Sequence, residues 1–353
     1  MEKFPHIPIE IHENDLNNGA LRILKVIRPR WQPKMIEFKL LTDGITNKLV
    51  KCRLEGEKEE NSVLVRVYGH KTDLLIDRKA ETRNIKLLNR EGLAPSLYAT
   101  FSNGLAYEFV PGCTLNCNSV GQPTTYKMVA RHLAKLHKVR EGVNNGEHAP
   151  ILWDKLTNFL NLVPHKFSDP VKQERYESLV LPKEQLRKEI EYLKENLTQI
   201  NSPVVFCHND LLLGNVICTD DESSVVFIDY EYAAYNYQAF DIGNHFNEFV
   251  GIEPDTIDYS KYPSKELQYD WLKTYLLEFK NTDSVKDEDI YKLYIQVNKF
   301  SLTSHLFWGI WALIQAEHSY IDFDFIKYGA IRINEYLAKK EDFLNLDGNE
   351  TSS

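Results

Sequence analysis

The sequence predicts an α+β chain of two unequal lobes, and three observations carry that expectation. Short segments rich in β-branched and aromatic residues cluster between residues 38 and 68. A Pro111-Gly112 step then punctuates the chain, and most of the chain beyond it places apolar residues in helical register. At 353 residues, 43% of them hydrophobic and 26% charged, the chain can bury a large core. The expected division is a small β-rich N-terminal lobe over residues 1–111 and a larger, mainly helical C-terminal lobe over residues 112–353.

Taken in order, the first element is a helix over 16–27, with Leu16, Ala20, Leu24 and Ile27 on one side and Pro29 beyond its end. Strands follow at 38–41, 49–54 and 63–68. The turn containing Asp43, Gly44, Thr46 and Asn47 reads either as a hairpin connection or as a loop closing over phosphates, and a single glycine favours the hairpin. The third strand carries Arg66, and the segment 77–90 reads as a helix bearing Glu81. A strand cation held by a helix carboxylate can position nucleotide phosphates, while separate solvated charges are the plainer reading. A hairpin over 97–110 ends at Pro111-Gly112, and a strand ending in such a turn could offer backbone donors and acceptors to an adenine ring.

Helices are expected at 124–139, 153–162 and 182–200, the last with Leu186, Ile190, Leu193 and Leu197 in register. A long apolar helix over 301–316 places Trp308 and Trp311 three positions apart, hence on one side. Aromatic faces beside carboxylates hold ammonium groups, although tryptophans at helical spacing also simply fill cores.

The chemistry is concentrated in residues 204–248. An apolar run leads into Cys207-His208-Asn209-Asp210, Asn215 comes five positions later, and a polar tip at 219–224 connects to Val225-Val226-Phe227-Ile228-Asp229. Phosphoryl transfer from a nucleotide needs a carboxylate that accepts a hydroxyl proton and oxygen ligands that hold magnesium on the phosphates. Asp210 suits the first task, and Asn215 and Asp229 suit the second. The alternative is a set of side chains that cap turns between strands.

Composition narrows the partners. The net charge is −9 with no long Lys/Arg run, which argues against nucleic acid. No apolar run approaches the roughly 18 residues that cross a bilayer, and the N-terminus lacks signal architecture, so a cytoplasmic address and no membrane insertion are expected. The five cysteines are odd in number and scattered, as free thiols in a reducing compartment would be. Cys113 and Cys117 lack a second Cys/His pair with zinc spacing.

Together these motifs resemble the choline/ethanolamine kinases, which have a two-lobed protein-kinase-like, aminoglycoside-phosphotransferase-like fold. The resemblance runs from about Phe38 to about Phe343. Cys207-His208-Asn209-Asp210 with Asn215 is similar to the family's phosphotransferase motif. Ile228-Asp229-Tyr230-Glu231-Tyr232, Asn236-Tyr237 and Phe240-Asp241-Ile242-Gly243-Asn244-His245-Phe246 are similar to its choline-kinase motif. The resemblance implies Asp210 as catalytic base and Asn215 and Asp229 as magnesium ligands. It puts Arg66, with Glu81 as partner, and the turn residues Asp43, Gly44, Thr46 and Asn47 on the ATP phosphates. Glu108 and Val110 would meet adenine, and Glu248, Trp308 and Trp311 the amino alcohol.

The stretches Thr42-Asp43-Gly44-Ile45-Thr46-Asn47-Lys48, His208-Asn209-Asp210-Leu211-Leu212 and Asn247-Glu248-Phe249-Val250-Gly251 are more similar to the ethanolamine subgroup. Where choline kinases carry a cage tyrosine beyond the pocket glutamate, Val250-Gly251-Ile252-Glu253 has no aromatic, which Tyr259 or Tyr262 could supply instead. A quaternary ammonium depends on aromatic faces, whereas a primary ammonium has three N–H donors. The expected activity is therefore ATP- and Mg2+-dependent phosphorylation of ethanolamine, the first step of the CDP-ethanolamine route to phosphatidylethanolamine. Choline, another small-molecule substrate, or a catalytically silent nucleotide-binding protein are the alternatives, and a homodimer is admitted.

Overall fold

The structure, a computed structural model, describes residues 4–41, 47–69, 75–140 and 148–347. Asp43, Gly44 and Thr46 lie outside the described residues. In chain order the elements are β1 (His6–Ile7), α1 (Leu16–Ile27), β2 (Ile36–Leu41), β3 (Asn47–Leu54), β4 (Val63–Tyr68), α2 (Arg78–Arg90), β5 (Leu97–Phe101), β6 (Gly104–Glu108), β7 (Cys113–Thr114), α3 (Pro123–His137), α4 (Leu152–Leu162), α5 (Pro170–Leu179), α6 (Lys183–Thr198), β8 (Val204–Cys207), β9 (Val216–Cys218), β10 (Val225–Phe227), β11 (Ala234–Tyr237), α7 (Gln238–Asn247), α8 (Lys265–Lys280), α9 (Asp287–His318) and α10 (Phe325–Leu344). None of the described helices is long and apolar enough to cross a membrane.

Two compact units emerge. One comprises Met1–Cys113 together with Ile217–Glu231, the other Thr114–Val216 together with Tyr232–Ser353. Within the first unit, Asp229 and Glu231 both pair with Arg66 of β4, and the Tyr230 hydroxyl donates to the Leu93 carbonyl at 2.6 Å.

The first unit is built on a six-stranded sheet in the order β1-β5-β6-β4-β3-β2, antiparallel except for the β1–β5 edge. Strand alternation divides β4 between two faces. Val63, Val65 and Val67 join Val50, Cys52 and Ala106 in a core that α1 covers with Ala20, Ile23 and Leu24. Arg66 therefore points to the other face, where α2 carries Glu81. The Asp77 carboxylate caps α2 by accepting from the Lys79 and Ala80 amides at 3.0 Å, which fixes where its first turn begins.

The second unit packs around α9, whose residues from Phe300 to Ile314 are all buried. The sequence showed the apolar run as 301–316; the helix begins earlier, at the acidic turn Asp287-Glu288-Asp289, and spans 32 residues. Close helix crossings depend on glycine. A Cβ on Gly243 of α7 would lie 2.7 Å from the Val297 carbonyl oxygen of α9, and one on Gly329 of α10 would lie 3.0 Å from the Gly309 carbonyl oxygen. Strand β8 pairs antiparallel with β11, setting Cys207 opposite Ala234 and delivering the chain directly into His208.

Candidate active site

In the first unit, Arg66 sits among three carboxylates. Its Nη1 lies 3.3 Å from Glu81 Oε1 and 2.7 Å from Asp229 Oδ1, and its Nη2 pairs with Glu231 Oε2. The Arg66–Glu81 pair expected from the sequence is therefore present, but it is part of a larger cluster. Arg78, which no motif flagged, bonds Glu81 Oε2 at 3.0 Å and Glu231 Oε2 at 2.9 Å and lies over the Tyr68 ring. Three acids face two guanidinium groups. Burial and then the Asp229 charge push the Glu231 carboxyl up, with Arg66 and Arg78 opposing. Burial would lower Arg66, but the surrounding carboxylates outweigh it and hold the guanidinium firmly charged.

Asp229 has φ 64°, a left-handed backbone that a branched residue would resist, and its side chain is 27% exposed. Its carboxylate has the oxygen chemistry that magnesium takes. Asn47, the described residue of the first predicted loop, places its amide 3.5 Å from Glu231. At the end of β6, the Glu108 and Phe109 amides are engaged with Ser96 and Ser62 carbonyls at 2.9 and 3.3 Å. The Val110 amide has no partner among the described residues.

In the second unit, the loop after β8 is held by the buried Asp241 of α7. Its Oδ2 accepts from the His208 amide at 2.8 Å and its Oδ1 from the Asn209 amide at 2.7 Å, while His137 Nε2 approaches Oδ2 at 2.9 Å. His137 Nδ1 in turn lies 2.6 Å from the Tyr275 hydroxyl. Burial raises the Asp241 carboxyl, but the bonds and charge from His137 and the contribution of His208 outweigh it and leave it lowered, an anion at neutral pH.

Asn209 adopts φ 66°, and its side chain is clamped by the Tyr232 carbonyl at 3.0 Å and the Asn236 amide at 2.8 Å. His245, pushed down to about 4 by burial, is neutral and meets the Leu211 carbonyl at 3.0 Å. Asp210 follows Asn209 directly. The Asp210 carbonyl accepts from Asn215 Nδ2 at 2.9 Å, a bond that commits the amide nitrogen and leaves the side-chain oxygen as the atom with the chemistry of a metal ligand.

The same unit gathers the residues expected around an ammonium group. Trp308 and Trp311 are edge to face at 5.5 Å, and Tyr232 meets Trp308 at 5.2 Å. Trp308 Nε1 donates to Asn244 Oδ1 at 2.8 Å and Trp311 Nε1 to the Tyr232 hydroxyl at 2.9 Å. Glu248, buried at the C-terminal end of α7, accepts from Arg332 Nη1 of α10 at 2.9 Å. Tyr262 turns away from this set, bonding Asn298 and packing near Phe343, whereas Tyr259 lies beside His305 within electrostatic reach of Glu248 and Arg332.

The choline/ethanolamine kinase family model matches residues 38–337. The chain belongs to the choline/ethanolamine kinase family. It is 45% identical to ethanolamine kinase of Drosophila melanogaster over 97% of this chain and 80% of that protein. It is 47% identical to human ethanolamine kinase 2 over 94% of this chain and 83% of that protein. Among solved structures, an ethanolamine kinase of Plasmodium vivax aligns with a TM-score of 0.80 at 30% identity, covering 92% of this chain and 89% of that one. A spectinomycin phosphotransferase aligns at a TM-score of 0.53 and 14% identity over 92% of this chain and 98% of that one, which shows the shared fold.

Within this choline/ethanolamine kinase, several site residues carried no local signal. Arg78 and Arg332 are recognised only by what they touch. Tyr232, Asp241 and Asn244 stood inside a motif, but a motif does not say which side chains hold the loop and which face a ligand.

Proposed function

We propose that this chain transfers the γ-phosphoryl group of ATP to the hydroxyl of ethanolamine, opening the CDP-ethanolamine route to phosphatidylethanolamine. The observation that carries the reading is the Asp241-held loop that presents Asp210, in the same unit as the Glu248, Trp308 and Trp311 cluster. Asp210 orients the hydroxyl and takes its proton. The substrate oxygen attacks the γ-phosphorus as the bond to the β,γ-bridging oxygen breaks, releasing ADP.

Asn215 and Asp229 are the proposed magnesium ligands. The ion, when bound, neutralises phosphate charge. Arg66, kept charged by Glu81, Asp229 and Glu231, is the proposed contact for the phosphates, as are Asp43, Gly44, Thr46 and Asn47 of the preceding turn, and Val110 is the proposed contact for adenine. On the substrate side, the acceptor oxygens of Glu248 suit a primary ammonium, and the tryptophan faces suit its charge. A cytoplasmic location and a homodimeric assembly complete the proposal, and sedimentation of the purified chain tests the second.

Choline is the second reading, favoured by Tyr259, which feels the charges of Arg332 and Glu248 and could supply a cage wall. The test is magnesium-dependent ADP release with ethanolamine and choline side by side at matched sub-saturating concentrations. A larger kcat/KM for ethanolamine supports the first reading, and a larger one for choline replaces it with the second. Asp210→Ala should lower kcat by at least about 100-fold, and near-normal turnover would remove Asp210 from the mechanism.

A further inference from the structure

Arg332 is among the largest side chains in the chain to be fully buried, at 2% exposure, and Glu248 beside it is 3% exposed. A single guanidinium makes four bonds there. Nη1 donates to Glu248 Oε1 at 2.9 Å and to the Tyr328 hydroxyl at 2.9 Å, and Nη2 donates to Ser304 Oγ at 3.0 Å and to the Ser304 carbonyl at 3.4 Å. Ser304 Oγ then donates at 2.8 Å to the same Asn244 oxygen that receives the Trp308 indole at 2.8 Å. Glu248, Tyr328 and Trp308 thus come from three different elements; Arg332 joins the first two directly and the third through Ser304 and Asn244.

We propose that Arg332 is the positioning residue of the amino-alcohol pocket, seating Glu248, Tyr328 and, through Ser304 and Asn244, Trp308. The proposal rests on the reading that Glu248, Trp308 and Trp311 meet the amino alcohol. A buried carboxylate that loses its counter-ion is strongly destabilising, and one without a fixed partner has no fixed orientation. The guanidinium pairs with Glu248 and holds its carboxylate in one orientation.

The other titratable groups around the pair are Tyr328, Tyr259, His305 and Glu335. None replaces the guanidinium. His305 is held well below its ordinary value by burial and then by Arg332, so it is neutral, and the others carry no positive charge. A lysine at 332 would keep the charge but not the planar fork that reaches three partners at once.

The test is steady-state kinetics and thermal unfolding of the full chain carrying Arg332→Lys, Arg332→Met or Glu248→Gln/Arg332→Met. For Arg332→Lys, KM for ethanolamine should rise at least about tenfold, the loss of one charge-assisted hydrogen bond, while KM for ATP stays within about twofold. A merely structural role would move both KM values with Tm. The double variant should regain Tm relative to Arg332→Met, because no buried charge is left alone, but should not regain ethanolamine KM.

An unchanged ethanolamine KM in Arg332→Lys overturns the proposal. If neither single variant at 332 folds, Tyr328→Phe decides, with a raised ethanolamine KM supporting the proposal and an unchanged one overturning it. Trp311→Ala separates this inference from the reading beneath it. If that variant raises ethanolamine KM and Arg332→Lys does not, only the role of Arg332 fails. If neither does, the pocket itself has been misplaced.

Discussion

Replacing Asp241 with asparagine probes how the reactive loop is held. The carboxylate accepts from the His208 amide at 2.8 Å, the Asn209 amide at 2.7 Å and His137 at 2.9 Å. An asparagine keeps one oxygen, so whichever way its amide turns, an NH2 group confronts at least one backbone N–H. The loss is one charge-assisted hydrogen bond, about 1.5–3 kcal/mol, plus the desolvation of a donor left buried, about 1–3 kcal/mol.

The expected destabilisation is about 3–5 kcal/mol, a large fraction of the roughly 5–15 kcal/mol that domains possess. The Asn209 backbone at φ 66° costs about 1–3 kcal/mol to maintain, and the Asp241 bond to its amide is one of the clamps that maintain it. Once that bond weakens, the loop relaxes and Asp210, the next residue, shifts with it. A displacement of about 1 Å at a reacting group costs about 100-fold. Urea unfolding and ADP release measured on the same preparation are the assay. A folded Asp241→Asn enzyme with kcat within about threefold of the parent, or with unchanged stability, would refute the argument that this carboxylate holds the loop.

Three further outcomes are expected. His245 is pushed down to about 4 from 6.5, so between those values the unfolded chain binds a proton that the folded chain does not, and stability falls as pH falls through that window by up to about 3 kcal/mol. His305 acts in the same direction, and His245→Gln should flatten the slope of unfolding free energy against pH by about one proton. Arg66→Met leaves Glu81, Asp229 and Glu231 with Arg78 alone and should cost about 3–5 kcal/mol, measurable as a lowered urea midpoint that adding Glu231→Gln partly restores. Gly243→Ala drives a methyl to 2.7 Å from a backbone oxygen of α9 and should destabilise by about 1–3 kcal/mol in thermal unfolding, whereas Gly121→Ala, with open space around it, should not.

Much of this protein was legible because its elements announce themselves locally. The 16–27 helix, the 63–68 strand and the hairpin across 219–224 can be read from period, turn chemistry and β-branched composition, and all three are present. The spacing of His208, Asp210, Asn215 and Asp229, with Arg66 on a strand and Glu81 on the next helix, was enough to point to phosphoryl transfer. Local pattern failed where an element marks its buried face weakly. The first half of α9 and the whole of α5, α8 and α10 were not drawn individually: α5 buries Tyr176 alone, and the start of α9 sets buried Ile290 and Leu293 among charged, exposed positions such as Glu288 and Lys292.

What only the tertiary structure decided is which groups share a charge. Arg66 reaches Asp229 and Glu231 as well as Glu81, Asp241 carries the amides of His208 and Asn209, and Glu248 leans on Arg332, 84 positions away. A strand or a helix can be inferred from its own residues because the hydrogen bonds and apolar face that define it repeat within a few positions. A buried charge must find its partner wherever the folded chain brings one, and no spacing along the sequence records that distance.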